Sequence, residues 1–229
     1  MNNMKKQTIL MLSVLVTLVA AQGCAGLGWL SEQIVGKKIK ALYEIKSRPT
    51  LVLVDDPDGV LPSRNLQQVI AVNVQHHLKF VEDLADMYVV PQRALVELRE
   101  DLGEKYMKQP IDRIGSRLGA RQVIYINMRS FATRVGGPLY RPTALAEVKL
   151  IETTTGHRLF PAADQRVIDT TTTPPGYLVK MESEYERVDL DGRGTQEVFE
   201  RRLAEDLGRK IAEVFIDHSK PEPGRDLPG

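Results

Sequence analysis

The chain has 229 residues, of which 42% are hydrophobic and 27% are charged, and its formal net charge is +1. Acidic and basic residues are interleaved along the chain, so the sequence lacks the basic footprint of a nucleic-acid-binding protein and we expect no nucleic-acid partner. The single cysteine rules out a disulfide framework within the chain and a cysteine metal site.

The amino terminus has the organisation of an export signal. Lys5 and Lys6 precede an apolar run over residues 9–21, followed by small residues, and this order is typical of a cleaved signal peptide. A transmembrane helix is the alternative, but it needs about 20 apolar residues, and the run breaks at Gln22. Residues 1–23 are therefore predicted to be a signal peptide that is removed.

The segment Ala21-Gln22-Gly23-Cys24 resembles the lipobox of bacterial lipoproteins. In that family, the cysteine is diacylated and becomes the new amino terminus. Lipidation would also consume a thiol that is otherwise open to oxidation in an exported protein. The resemblance implies a membrane partner, reached through a lipid on Cys24. An ordinary signal peptide followed by an unmodified thiol is the alternative.

Lipidation has consequences for location. Two or more acyl chains, each worth ~0.8 kcal/mol per buried methylene, hold a protein on a membrane essentially permanently. Residues 24–49 are then a lipidated tether on the periplasmic face of the cell envelope. Lipoproteins that stay in the inner membrane of Gram-negative bacteria often have Asp after the cysteine, whereas this chain has Ala25. The resemblance therefore favours the outer membrane.

A single domain is predicted over residues 50–218, and it begins with alternating strands and helices. The apolar run 51–54 indicates a buried central strand, followed by turn formers over residues 55–59. The next helix is capped by Ser63 or Asn65 and has an apolar stripe. Two further helices are predicted to start at Pro91 and Pro110, and two further strands to cover residues 87–90 and 122–128.

The second half of the domain has a different pattern. Residues 143–151 and 158–168 flank a threonine-rich turn and predict an antiparallel hairpin, with Glu147 and Lys149 on its polar face. Residues 170–194 are predicted to form a long surface excursion with at most one short element. The remaining predictions are a long carboxyl-terminal helix over residues 195–218 and a disordered tail over residues 219–229.

The predicted fold class is α/β (α+β), with a mixed sheet and helices packed on it. Three local patterns resemble the small α/β domain shared by the amino-terminal part of TolB, by LpoB and by CsgG. These patterns are the run from Leu51 to Asp56, the Leu118-Gly119-Ala120 sequence before strand 122–128, and the hairpin over residues 148–159. The resemblance implies an exported protein in which this domain is not catalytic. The chain has no propeller like that of TolB and no amphipathic strands like those of the CsgG pore.

The best candidate for chemistry is the acidic turn formed by Asp55, Asp56 and Asp58. Three carboxylates after a buried strand can bind a divalent cation at the end of the strand where α/β folds often place ligands. The same residues are also good turn formers. The sequence has no nucleophile elbow, and its only cysteine is taken by the lipid. We therefore expect no enzyme activity and no cofactor.

The function predicted from these features is that of a non-catalytic accessory module that binds another envelope protein. Candidate contacts are Tyr177, Leu178 and Tyr185 in the excursion, and Glu147 and Lys149 on the hairpin. A small hydrolase or metal-dependent enzyme that uses the acidic turn is the alternative. The sequence leaves the oligomeric state open.

Overall fold

The computed structural model describes residues 38–79, 84, 88–133, 142–162, 176–182 and 193–219. The predicted signal peptide, Cys24, Tyr185 and the predicted tail beyond Ser219 lie outside the described residues. The chain divides into a main unit over residues 41–216 and a small unit made of residues 1–40 and 217–229. In the order of the chain, the elements are β1 (Lys38–Ile39), β2 (Thr50–Asp55), α1 (Arg64–Lys79), α2 (Gln92–Leu102), a 3₁₀ helix (Gly103–Lys108), α3 (Ile111–Arg117), β3 (Gln122–Ala132), β4 (Thr143–Glu152), β5 (Arg158–Phe160), β6 (Tyr177–Glu182), α4 (Arg193–Ala212) and β7 (His218–Ser219).

The main unit contains a five-stranded mixed sheet, which confirms the predicted fold class. Its order is β2-β3-β4-β5, with β6 also paired to β4. Strand β2 runs parallel to β3, whereas the other pairs are antiparallel. The prediction that β2 is central is wrong, because β2 lies at one end of the strand order. No helix in the described part of the chain is long and apolar enough to cross a membrane.

The outer edge of β2 is closed by the residues around α2. Val89 forms a parallel bridge to Thr50, and residues 88–90, the described part of the strand predicted over residues 87–90, show only this bridge. Further along, the side chain of Gln92 donates to the Val52 carbonyl at 2.9 Å, and Arg99 donates to the Val54 carbonyl at 3.3 Å. These bonds satisfy edge carbonyls that a neighbouring strand would otherwise pair.

Both faces of β2 are buried, which explains its continuous apolar run. Val52 and Val54 face the larger core, which α1 and α4 cover. Leu51 and Leu53 face a smaller core with residues of α2 and α3. Successive side chains of a strand point to opposite faces, so a strand covered on both sides is apolar at every position whether it is central or at an edge.

Local sequence signals set the helix starts correctly. Pro91 and Pro110 stand directly before α2 and α3, where their missing N–H groups cost nothing. Gly119 ends the α3 region with a φ of 73°, a conformation that glycine adopts without strain. Of the two predicted capping residues of α1, Ser63 directly precedes the helix, whereas Asn65 lies within it.

The last helix is shorter than predicted. It ends at Ala212, and Val214 and Phe215 continue in tighter turns. The Val214 carbonyl accepts hydrogen bonds from the backbone of Leu42 and Tyr43, so contacts distant in sequence end the helix. His218, predicted near the helix end, instead lies in β7 and pairs with β1 within the small unit.

The predicted hairpin is present, and the described part of the predicted excursion includes a strand of the sheet. Strands β4 and β5 are antiparallel around the threonine-rich turn. The second strand, predicted over residues 158–168, ends at Phe160, and residues 163–168 lie outside the described residues. Within the excursion, β6 pairs with six residues of β4 and buries Val179 in the larger core. A Gly/Ser replacement of residues 170–194 would therefore remove a strand of the sheet. Ahead of the predicted domain start, Ile45 is also buried in this core.

Candidate partner-binding face

One part of the sheet carries polar and exposed side chains on three neighbouring strands. We call it the polar face and define it by Asn127, Arg129, Glu147, Lys149, Leu178 and Lys180. Asn127 of β3 pairs with Glu147 of β4, which in turn pairs with Leu178 of β6. Since side chains alternate across a sheet, this register places these three on one face.

Among the described residues, helices cover this face of the sheet only toward its other part. There, α2 and α3 pack on Leu51, Leu53 and Val123 in the smaller core. On the polar face, by contrast, Leu178 is 45% exposed. The Lys180 side chain is 63% exposed. The apolar side chain of Leu178 is therefore exposed to solvent among charged side chains.

Glu147 lies at the centre of the polar face but is itself buried, with only 4% of its surface exposed. Its carboxylate accepts hydrogen bonds from Lys149 at 2.8 Å, from the backbone N–H of Gly176 at 2.7 Å, and from Arg129. The predicted polar hairpin face is thus corrected at Glu147, because its partners cover it. A buried carboxylate is stable only with such partners.

The electrostatics of Glu147 follow from these bonds. Burial alone would raise its pKa, but the hydrogen bonds from Lys149, Arg129 and Gly176 outweigh this effect and lower the pKa from 4.5 to about 2. The hydrogen bond to Glu147 also raises the pKa of Arg129. Both groups therefore stay charged at neutral pH.

Gly176 is required where β6 begins. A Cβ atom at this position would lie 2.8 Å from the Val148 carbonyl oxygen and 2.6 Å from the Glu147 side chain. The Val148 carbonyl oxygen belongs to the backbone of the sheet, so it can move away only at a substantial cost in free energy. Gly176 therefore lets the backbone approach the carboxylate closely enough to donate to it.

We expect Glu147→Gln to flatten the acid dependence of stability. A folded-state pKa below the unfolded value stabilises the fold above about pH 4.5, and this contribution is lost as the pH falls toward 2. The full shift corresponds to at most roughly 3 kcal/mol. In urea unfolding, the free energy of unfolding of the wild type should therefore fall more steeply between pH 5 and pH 2 than that of the variant.

The matched control for this experiment is Glu182→Gln. The Glu182 side chain is 60% exposed and belongs to the neighbouring strand. It should keep the wild-type pH profile, because an exposed ion pair contributes little. Equal slopes for the wild type and Glu147→Gln would contradict the role assigned to Glu147.

The acidic turn has a structural role in this fold. The Asp56 carboxylate accepts the backbone N–H groups of Val60 at 2.8 Å and Leu61 at 3.0 Å. Asp55 accepts the hydroxyl of Tyr125 at 3.1 Å, while Asp58 is exposed. Within the described ranges, no three His, Cys, Asp or Glu side chains are grouped to hold a metal ion. Asp55, Asp56 and Asp58 therefore do not form such a group in the structure.

Several polar residues beside Asp55 were not singled out from the sequence. Burial, and then the charge of Asp55, raises the pKa of Tyr125. Burial also raises the pKa of Tyr106, whose ring lies 5.0 Å from the guanidinium carbon of Arg99. Asn127 pairs with Asp55 in register, and its Oδ1 atom is buried without a hydrogen bond. The alternation of polar residues along β3 was the signal that could have found Tyr125 and Asn127.

The five predicted contact residues have different positions. Tyr177 faces the larger core and is partly buried there, with its ring 5.6 Å from that of Phe160, and its role as a partner contact stays a prediction. Lys149 is mostly buried against Glu147. Leu178 is exposed on the polar face, and Tyr185 lies outside the described residues.

No family model and no curated protein matches the sequence. Among solved structures, it is similar to the lipoprotein GNA1162 from Neisseria meningitidis, with 16% identity over 66% of this chain and 94% of that one and a TM-score of 0.42. The PelC dodecamer from Paraburkholderia phytofirmans has 11% identity, 79% and 96% coverage, and a TM-score of 0.40. The LpoB C-terminal domain from Salmonella enterica has 13% identity, 62% and 86% coverage, and a TM-score of 0.30. At TM-scores below 0.5, neither a shared fold nor a shared function follows.

Proposed function

We propose that this chain is a lipid-anchored, non-catalytic lipoprotein of the bacterial cell envelope that binds another protein through its polar face. The lipobox-like sequence at Cys24 supports the anchor. The exposed position of Leu178 beside the Glu147 ion cluster carries the binding role. The periplasmic leaflet of the outer membrane is favoured because Ala25, not Asp, follows the cysteine.

The polar face has the composition of a protein-binding surface. Such interfaces combine an apolar centre with a rim of polar and charged groups. Here Leu178 is the apolar group, and Lys180, Glu182 and Arg129 are the exposed charges around it. Arg129 is held by Glu147 and therefore loses less freedom when a partner binds.

The alternative of a metal-dependent enzyme has no comparable support. Both carboxylate oxygens of Asp56 accept backbone N–H groups, and Asp55 accepts a tyrosine hydroxyl. These bonds account for two of the three acids of the proposed catalytic turn.

The test is site-specific photocrosslinking in cells that carry the full-length protein. A photoreactive residue at position 178 should give a discrete adduct with an envelope protein, because this position lies in the proposed interface. The matched position is Val198, which is 62% exposed on α4. Helix α4 covers the opposite face of the sheet, so position 198 should not give that adduct.

A second variant makes the test specific to the polar face. Lys180→Glu reverses an exposed charge beside Leu178 and should reduce the adduct several-fold without changing the amount of folded protein. Equal adducts from positions 178 and 198 would contradict the proposal. So would an adduct of twice the chain's own mass, since the face would then join two copies.

A further inference from the structure

A second surface feature lies near the start of β3, away from the polar face. It is a shallow cleft of about 560 Å³ between α3 and the turn that joins β4 to β5. An adjoining depression of about 430 Å³ continues it along α3. The charged and hydroxyl groups that line the two are Arg113, Ser116, Arg117, Arg121, Thr153, Thr154 and Thr155, with Asp112 as the acid.

The two walls of the cleft are joined by close contacts. A Cβ atom at Gly115 would lie 2.5 Å from Val123 and 2.6 Å from Thr153, so α3 lies almost directly on the sheet and the turn. The Thr153 hydroxyl donates to the Ala120 carbonyl at 2.7 Å, and its N–H donates to the Arg121 carbonyl at 3.1 Å. The cleft is therefore a fixed part of the fold.

The charged residues that line the cleft are mostly basic, although the whole chain has a formal net charge of only +1. Arg113, Arg117 and Arg121 form no ion pair with any described carboxylate, whereas Arg48, next to the cleft, pairs with Glu152. Arg121 is 3.5 Å from the Thr154 hydroxyl. Three arginines against Asp112 give a formal charge of +2 among the lining residues.

We propose that this cleft binds a phosphate ester. A guanidinium group donates two parallel hydrogen bonds to phosphate oxygens, and such charge-assisted bonds are about twice as strong as neutral ones. Arg113 on α3 and Arg121 directly before β3 supply these donors, and the Thr154 hydroxyl can donate to a remaining oxygen. The hydroxyls of Ser116 and Thr155 already donate to the Thr153 carbonyl at 3.3 Å and to the Glu152 carboxylate at 2.9 Å. Asp112 can accept a hydrogen bond from a hydroxyl next to the phosphate, as in glycerol or a sugar.

Phosphate esters of this kind occur both in lipid headgroups and in soluble molecules. The inference does not rest on the polar face or on the function proposed for it. A failure to bind phosphate would leave the crosslinking result at position 178 untouched, and the reverse also holds.

The first experiment measures binding of glycerol 3-phosphate to the purified full chain by isothermal titration calorimetry in neutral detergent. Saturable binding is expected. Arg113→Gln and Arg121→Gln should each weaken it about tenfold or more, as loss of a charge-assisted hydrogen bond does. Arg93→Gln is the matched control, because Arg93 is an exposed arginine on α2 outside the cleft.

Arg121→Lys distinguishes a specific phosphate-binding site from non-specific electrostatic attraction of the ligand. It keeps the charge but loses the planar pair of donors, so about a tenfold weakening is expected for bidentate binding. Binding that is unchanged in Arg121→Lys, or weakened equally by Arg93→Gln, would overturn the proposal. Because these arginines are exposed, thermal melts of the variants should match the wild type.

The source of the phosphate is tested with the Cys24→Ser protein and lipid vesicles. Sedimentation with phosphatidylglycerol vesicles, but not phosphatidylcholine vesicles, and its loss in Arg113→Gln would identify a lipid headgroup. Binding of glycerol 3-phosphate without vesicle binding would identify a soluble phosphate ester. Absence of both would overturn the proposal.

Discussion

Cys24→Ser is expected to move the protein from the membrane fraction to the soluble periplasmic fraction, or to leave it as an uncleaved precursor. Only the cysteine thiol can take the diacylglyceryl group, and this chain has one cysteine. With two acyl chains, each methylene contributes ~0.8 kcal/mol, so the wild type should be almost entirely membrane-bound. Fractionation after a carbonate wash measures the change, together with incorporation of labelled palmitate.

The control for this experiment is Ala25→Ser, which changes the next residue but keeps the thiol. It should remain membrane-bound and labelled. Labelled palmitate in Cys24→Ser, or a membrane-bound mature form of that variant, would refute the anchor.

Leu53→Ala is expected to lower the free energy of unfolding by roughly 2 to 5 kcal/mol. Leu53 is only 3% exposed and belongs to the smaller core with Leu95 and Ile114. Truncation removes buried apolar surface and leaves a cavity that the close-packed surroundings fill only in part. Urea unfolding followed by circular dichroism measures the loss.

Leu178→Ala provides the matched comparison. It makes the same chemical change on another strand of the sheet, but at a side chain that is 45% exposed. The change in the free energy of unfolding should lie within about 0.5 kcal/mol, as is usual for substitutions at the surface. Comparable losses from the two substitutions would mean that the two leucines are not buried as the fold places them.

Much of the secondary structure could be predicted because its signals are local. Pro91 and Pro110 fix helix starts through their own ring geometry, and Gly119 provides a positive φ. The alternation of apolar and polar residues along residues 143–151 follows from the pleat of β4, because successive side chains of a strand point to opposite faces. Signals of this type predict where an element is, but they do not predict its neighbours.

The candidate sites depended on contacts that no local signal contains. Arg129, Glu147 and Gly176 come from three separate segments, and both Arg129 and Gly176 donate hydrogen bonds to the buried Glu147 carboxylate. From the sequence alone, Glu147 looks like an exposed residue of an alternating strand. The arginine cleft also requires α3 and the β4–β5 turn to meet at Gly115.

The sequence by itself determined the α/β class, the hairpin and most helix boundaries, because periodicity, proline and glycine act within a few residues. It also provided the lipobox-like segment at Cys24. Only the tertiary structure decided that β2 lies at the end of the strand order, that residues 177–182 form a strand, and that α4 ends at Ala212. Each of these depends on which distant backbone groups pair with one another, and pairing over a long chain separation leaves no periodic trace in the sequence.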